Sequence, residues 1–141
     1  MSEKNMWVNM RKRMHGLWDE ATRHEDKFAS GIADVSFVCG GSHGWMELKQ
    51  IDKWPVRPGT TVRCKHYTDE QRIFLKRKGR AGGNTWLFVK IQRDYLLIDW
   101  ALAEQFGTLN KEETLQLASA RWSNRVDWEE LADIIGGEKF F

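Results

Sequence analysis

Cysteine and proline are scarce in this 141-residue chain, with two of each. Cys39 and Cys64 are too few for the disulfide framework of a small secreted domain, so a reducing intracellular compartment, the cytoplasm, is expected. No apolar run is long enough to span a bilayer, Tyr95 to Ile98 being typical. Met1 to Arg13 mix charge with Trp and Met and show no signal-peptide core. Internal repeats and low-complexity segments are lacking. Few prolines and 12% aromatic residues argue against disorder. A single chain of this length buries roughly 68% of its unfolded surface and needs no staple to hold a core.

Net charge is also nearly absent, at +2, but it is unevenly spread. Residues 1–99 hold 18 basic and 12 acidic residues, whereas residues 100–141 hold 4 and 8. A basic body with an acidic tail is compatible with nucleic-acid binding even when the sum is small. What the chain has in plenty is tryptophan, with eight residues that serve either a core or a binding face.

Helical spacing of Trp7, Met10, Met14, Leu17 and Trp18 predicts an amphipathic helix over 7–18. A short extended piece is expected at Ala21 to Glu25. Ile32 to Cys39 and Gly44 to Ile51 read as strands of an antiparallel hairpin turning at Gly40-Gly41-Ser42. Pro55, Pro58 and Gly59 break up residues 52–67. Thr68 then caps a helix from Asp69 to about Lys78, with Ile73 and Phe74 facing the core and Gly79, Gly82 and Gly83 ending it. Strands follow at Trp86 to Ile91 and Tyr95 to Trp100. The last 40 or so residues read as helical, with capping-box spacing at Asn110/Glu113 and Asp127/Glu130. The order implies an α/β or α+β fold with a mixed central sheet.

Chemistry concentrates in Gly31-Ile32-Ala33-Asp34-Val35 and in Gly44-Trp45-Met46-Glu47-Leu48-Lys49. Residues two apart on a strand share a face, so Glu47 and Lys49 point one way and Met46 and Leu48 the other. Hairpin pairing brings Asp34 close to Glu47. Two carboxylates on neighbouring strands suit a hard divalent cation, which takes carboxylate, carbonyl and phosphate oxygens; the Leu48 carbonyl is a further donor. Lys49 then faces the metal and its water, where an ammonium orients the nucleophile or offsets phosphate charge. This is equipment for hydrolysing a phosphodiester.

The pattern resembles the PD-(D/E)XK nuclease superfamily, with Ala33-Asp34 in place of Pro-Asp and Glu47-Leu48-Lys49 as Glu-X-Lys. The ordered series Arg23-His24-Glu25, Gly31 to Val35, Gly44 to Lys49, Thr68-Asp69-Glu70-Gln71 and Ala81-Gly82-Gly83 is similar to small phage nucleases of the virus-type replication-repair (VRR-NUC) group. The resemblance covers about residues 7–99. It implies a restriction-endonuclease-like αβββαβ core over residues 1–100, with residues 101–141 as an acidic helical extension. It further implies a Mg²⁺- or Mn²⁺-dependent DNA endonuclease leaving a 5′-phosphate, similar to Holliday-junction resolvases and working as a homodimer in phage replication, recombination or repair, in the host cytoplasm. Asp34, Glu47 and Leu48 correspond to the metal ligands, Lys49 to the catalytic lysine and Gln71 to the glutamine opening the following helix. Glu25, with Glu20 second, is the candidate for the family's N-terminal acid.

Arg72, Lys76, Arg77, Lys78 and Arg80 on one helix and Arg11, Lys12 and Arg13 on another are the candidate phosphate contacts. Cys39, His43, Cys64 and His66 lack zinc-site spacing, and Cys39 is expected as a buried thiol. Gly79 to Gly83 lacks the end of a phosphate-binding P-loop. Two other readings stay open on sequence: a non-catalytic nucleic-acid-binding module, and a viral interaction protein using its acidic tail.

Overall fold

The computed structural model describes residues 3–25 and 31–137. The expected divisions extend to residues 1–2, 26–30 and 138–141, which lie outside them. Among the described residues eleven elements follow in order: α1 (Glu3–Arg13), β1 (Glu20–Arg23), β2 (Val35–Cys39), β3 (Ser42–Ile51), α2 (Asp69–Gly82), β4 (Thr85–Ile91), β5 (Asp94–Asp99), α3 (Trp100–Ala103), α4 (Lys111–Leu117), β6 (Ala118–Ser123) and α5 (Trp128–Gly136). The strands form a six-stranded sheet in sequential order, antiparallel except where β3 and β4 run parallel across the α2 crossover. This is the mixed α+β sheet that the sequence implies.

Both faces of the sheet are covered, which is why β3 is buried almost continuously from Gly44 to Gln50 rather than alternating. On one face α1 and α5 bring Met6, Met10, Leu131 and Ile135 against Phe37, Met46, Leu48 and Phe88. On the other, α2, α3, α4 and the segment 52–67 bring Leu75, Ala103, Phe106, Trp54 and Tyr67 against Leu87, Val89, Leu96 and Ile98. Among the described residues no helix is long and apolar enough to cross a membrane.

The local signals held in places and shifted in others. Gly40 and Gly41, both at positive φ, make the two-residue turn between β2 and β3. Thr68 and Gln71 form a full capping box on α2, as do Asn110 and Glu113 on α4. Asp127 accepts from the Glu130 N–H. The first helix runs 3–13 rather than 7–18: the chain turns at Met14 to Trp18, where Gly16 takes the left-handed conformation that ends helices. Gly79 does not end α2 but lies inside it, against the Trp100 ring, and Gly83 caps it. Ile73 is 55% exposed, and Leu75 takes the core position instead. The expectation of an all-helical 101–141 is corrected by β6. Its alternating exposure along ASARWS is that of a half-buried edge strand, and it pairs with β5.

Candidate active site

Asp34 immediately precedes β2. The β2–β3 register, Val35 opposite Met46, sets it across from Glu47. Its Oδ2 accepts the Leu48 N–H at 2.9 Å, and its backbone carbonyl accepts the His24 N–H. The carboxylate is thereby fixed to the middle of β3. Leu48 turns its N–H to the side where the β2 ladder has ended. N–H and C=O of one strand residue point the same way, so its carbonyl faces that side too.

Glu47 and Lys49 lie on the β3 face that meets the α2 layer, in register with Leu87 and Val89. They are 1% and 3% exposed. The Lys49 ammonium donates to the His66 carbonyl at 2.9 Å and lies 3.3 Å from Glu47 Oε2. That approach is an ion pair without hydrogen-bond alignment, and both Glu47 oxygens are buried with no hydrogen-bond partner among the described residues. Burial pushes the Glu47 carboxyl up to about 9; the neighbouring Asp34 pushes the same way and Lys49 opposes. Folding has thus sunk a carboxylate beside another carboxylate, with the Lys49 ammonium as its close counter-charge and no aligned hydrogen bond to either oxygen. Such an arrangement holds either a proton or a cation. Two carboxylates and a backbone carbonyl make an oxygen donor set that fits a hard divalent ion. Among the described residues no group of three His, Cys, Asp or Glu side chains that could hold a metal converges.

Residues 64–72 roof the site. Tyr67 donates to the Ala103 carbonyl, and burial pushes its phenol up. Arg72, expected to meet phosphate, is spent internally: it donates to the carbonyls of Tyr67, Glu104 and Phe106 and lies 4.1 Å over the Tyr67 ring. Gln71 is on the first turn of α2 with its Oε1 occupied by the Thr68 N–H. Gly31 abuts the same turn: a Cβ there would meet the Glu70 carbonyl at 2.5 Å. That close approach, at positive φ, requires glycine.

The remaining positions are spread out. Glu25 and Glu20 are exposed. Glu3, which sequence reasoning missed, lies 3.5 Å from His66 Nε2, over the loop that holds Lys49. Nothing in its local sequence marks it, because α1 and the 64–67 loop meet only on folding. Lys76 pairs with Glu104, Lys78 lies over the Trp45 and Phe74 rings, and Arg77 and Arg80 are exposed. Arg11, Lys12 and Arg13 are exposed at the far end of α1, in the layer on the opposite face of the sheet. Cys39 is buried with its thiol against the Ala132 carbonyl, while Cys64 lies 3.7 Å from the His66 ring.

No family model and no curated protein matches the sequence. Among solved structures the chain is similar to Hjc, a Holliday junction resolvase from the archaeal hyperthermophile Archaeoglobus fulgidus. The TM-score is 0.60 at 13% identity, over 92% of this chain and 99% of that one. The chain therefore has a resolvase-like, restriction-endonuclease-like α+β fold.

Proposed function

We propose that the protein is a divalent-metal-dependent endodeoxyribonuclease that cuts branched DNA. The observation that carries this reading is the convergence of Asp34, Glu47 and Lys49, with the Glu47 oxygens buried and without an aligned hydrogen bond. The fold of a Holliday junction resolvase supports it. Asp34, Glu47 and the Leu48 carbonyl would hold Mg²⁺ or Mn²⁺. Bound there, the ion supplies charge neutralisation for a phosphodiester and lowers the pKa of a water. Lys49, tethered by the His66 carbonyl, holds its ammonium beside the carboxylates to orient the nucleophile. Glu25, with Glu20 second, remains the candidate N-terminal acid, while Glu3 pairs with His66 in the loop that holds Lys49. Gln71 fixes the first turn of α2 over the site.

Phosphates of the DNA meet Lys76, Arg77, Lys78 and Arg80, while Arg72 acts from within as a staple. The motif order alone supports the finer kinship to phage VRR-NUC enzymes and a role in phage replication, recombination or repair. Homodimerisation rests on that kinship as well. Residues 1–100 carry the whole site, and the remainder completes the sheet. The test is cleavage of a synthetic four-way junction beside a linear duplex with Mg²⁺, Mn²⁺ or EDTA. Metal-dependent cutting of the junction, abolished in Asp34→Ala, is expected. Full activity of Asp34→Ala or in EDTA overturns the reading.

A further inference from the structure

The sheet face opposite Glu47 and Lys49 carries a trough that the mechanism does not use. Asn5, Asn9 and Arg13 recur four residues apart and form one face of α1, so they make a continuous wall. Beneath Asn9 and Arg13 opens a cleft of about 380 Å³, closed on its other side by Asn124 and Arg125 of the turn after β6. A smaller cleft of about 120 Å³ continues it past Asn5 to Gln50 and Lys90. The two share Asn9 and an aromatic floor of Tyr95 and Trp128.

Three features bear on what the trough takes. It is lined by the cations Arg13, Arg125 and Lys90 and by no carboxylate. Among the described residues, Arg13 and Arg125 have no acidic partner, whereas Lys76 has Glu104 and Lys49 has Glu47. The amides of Asn9 and Asn124 offer both donors and acceptors. A cleft of this volume is in the range of small-ligand sites and is walled on two sides. Its near end adjoins the catalytic strand, since Gln50 follows Lys49. Arg11 and Lys12 turn away from it, onto a shallow surface with Val8 and His15.

We infer that this trough seats an unpaired nucleotide of a DNA strand, with phosphates on Arg13 and Arg125 and the base against Tyr95 and Trp128. Guanidinium pairs hold phosphate through fixed donors, and aromatic surfaces stack any base. Resting on the nuclease reading, the inference adds a second contact on the back of the sheet, which favours DNA with a strand opened out of its duplex.

The experiment is equilibrium binding by fluorescence anisotropy in EDTA, which separates binding from cleavage. Probes are a labelled single-stranded oligonucleotide and a blunt duplex. Proteins are the wild type, Arg13→Ala/Arg125→Ala, and Lys53→Ala/Arg57→Ala as a charge-matched control on exposed loop positions. The double arginine variant is expected to bind the single strand about tenfold more weakly, with the slope of log K against log salt shallower by about 1.4, two lost contacts at about 0.7 each. Duplex binding and the control variant should remain at wild-type values. Single-strand binding equal to the wild type, or equal losses on both probes, overturns the inference. Circular dichroism confirms that the variant is folded, which its exposed positions favour. Should the protein bind in this way yet cut nothing with metal, the nuclease reading fails and the trough stands.

Discussion

Glu47→Gln removes the carboxylate that folding buries without an aligned hydrogen bond. Its carboxyl is raised from 4.5 to about 9, so between those values the folded chain keeps a proton that the unfolded chain releases. The stability this carboxyl allows is fully present below pH 4.5 and is lost as pH rises through about 9. Each pH unit inside the window costs the folded state about 1.4 kcal/mol, hence about 3 kcal/mol from pH 5 to 7. Glutamine does not titrate, so the pH dependence that the variant loses is that of Glu47 together with its coupling to Asp34 and Lys49. The difference in unfolding free energy should therefore move toward the variant by about 3 kcal/mol over that interval, about 10 °C in Tm for a chain of this size. Urea titrations in EDTA, followed by tryptophan fluorescence at pH 5, 6 and 7, read it directly. Parallel pH profiles for wild type and variant would refute the claim that a carboxylate without an aligned hydrogen bond is buried here. Added Mg²⁺ or Mn²⁺ should then restore the wild type at pH 7 by about 2.7 kcal/mol at a hundredfold excess over Kd, and leave the variant unmoved. A wild type indifferent to both ions would refute the metal assignment.

Lys49→Ala should lower junction cleavage by about 10²–10⁴-fold with binding retained, in single-turnover assays against anisotropy. Arg72→Ala strips charged donors from three roof carbonyls and should cost about 2–3 kcal/mol in urea unfolding. Arg72→Lys should not rescue it, because an ammonium cannot reproduce the fork; rescue by lysine contradicts the staple. Gly79→Ala drives a methyl into the Trp100 ring and should cost about 1–3 kcal/mol. Gly82→Ala meets nothing and should gain up to about 1 kcal/mol from helix propensity; equal effects would discount that packing. Truncation after residue 100 removes Phe106, Leu131 and Ile135, each fully buried. The fragment is expected to lose cooperative unfolding, and a folded fragment would show that residues 1–100 stand alone.

Much of this was legible along the chain because the signals were local. The apolar run of β2, the double glycine of the hairpin and the Thr68 and Asn110 caps depend on residues within a few positions of one another, whereas the alternation expected on β3 gave way to continuous burial because both faces of the sheet are covered. Glu47 and Lys49 share a face by strand geometry alone, and Asp34 reaches them through one hairpin register. Where the reading failed, distant packing decided the outcome. Ile73 and Leu75 are both apolar, and only the direction from which the sheet approaches α2 selects Leu75. Segment 118–123 has helix-compatible residues but lies along the open edge of β5, whose unpaired backbone groups draw it into a strand.

The amino-acid sequence by itself determined the strand pairing around Asp34 and Glu47, the donor types there and the basic bias of the first hundred residues. Only the tertiary structure decided that Glu47 is buried without an aligned hydrogen bond, that Arg72 serves the roof rather than phosphate, that Glu3 overlies the Lys49 loop, and that Arg13 and Arg125 face one trough. Each of those facts joins residues tens of positions apart. Their charge, burial and partners come from packing of layers, which no spacing along the chain encodes.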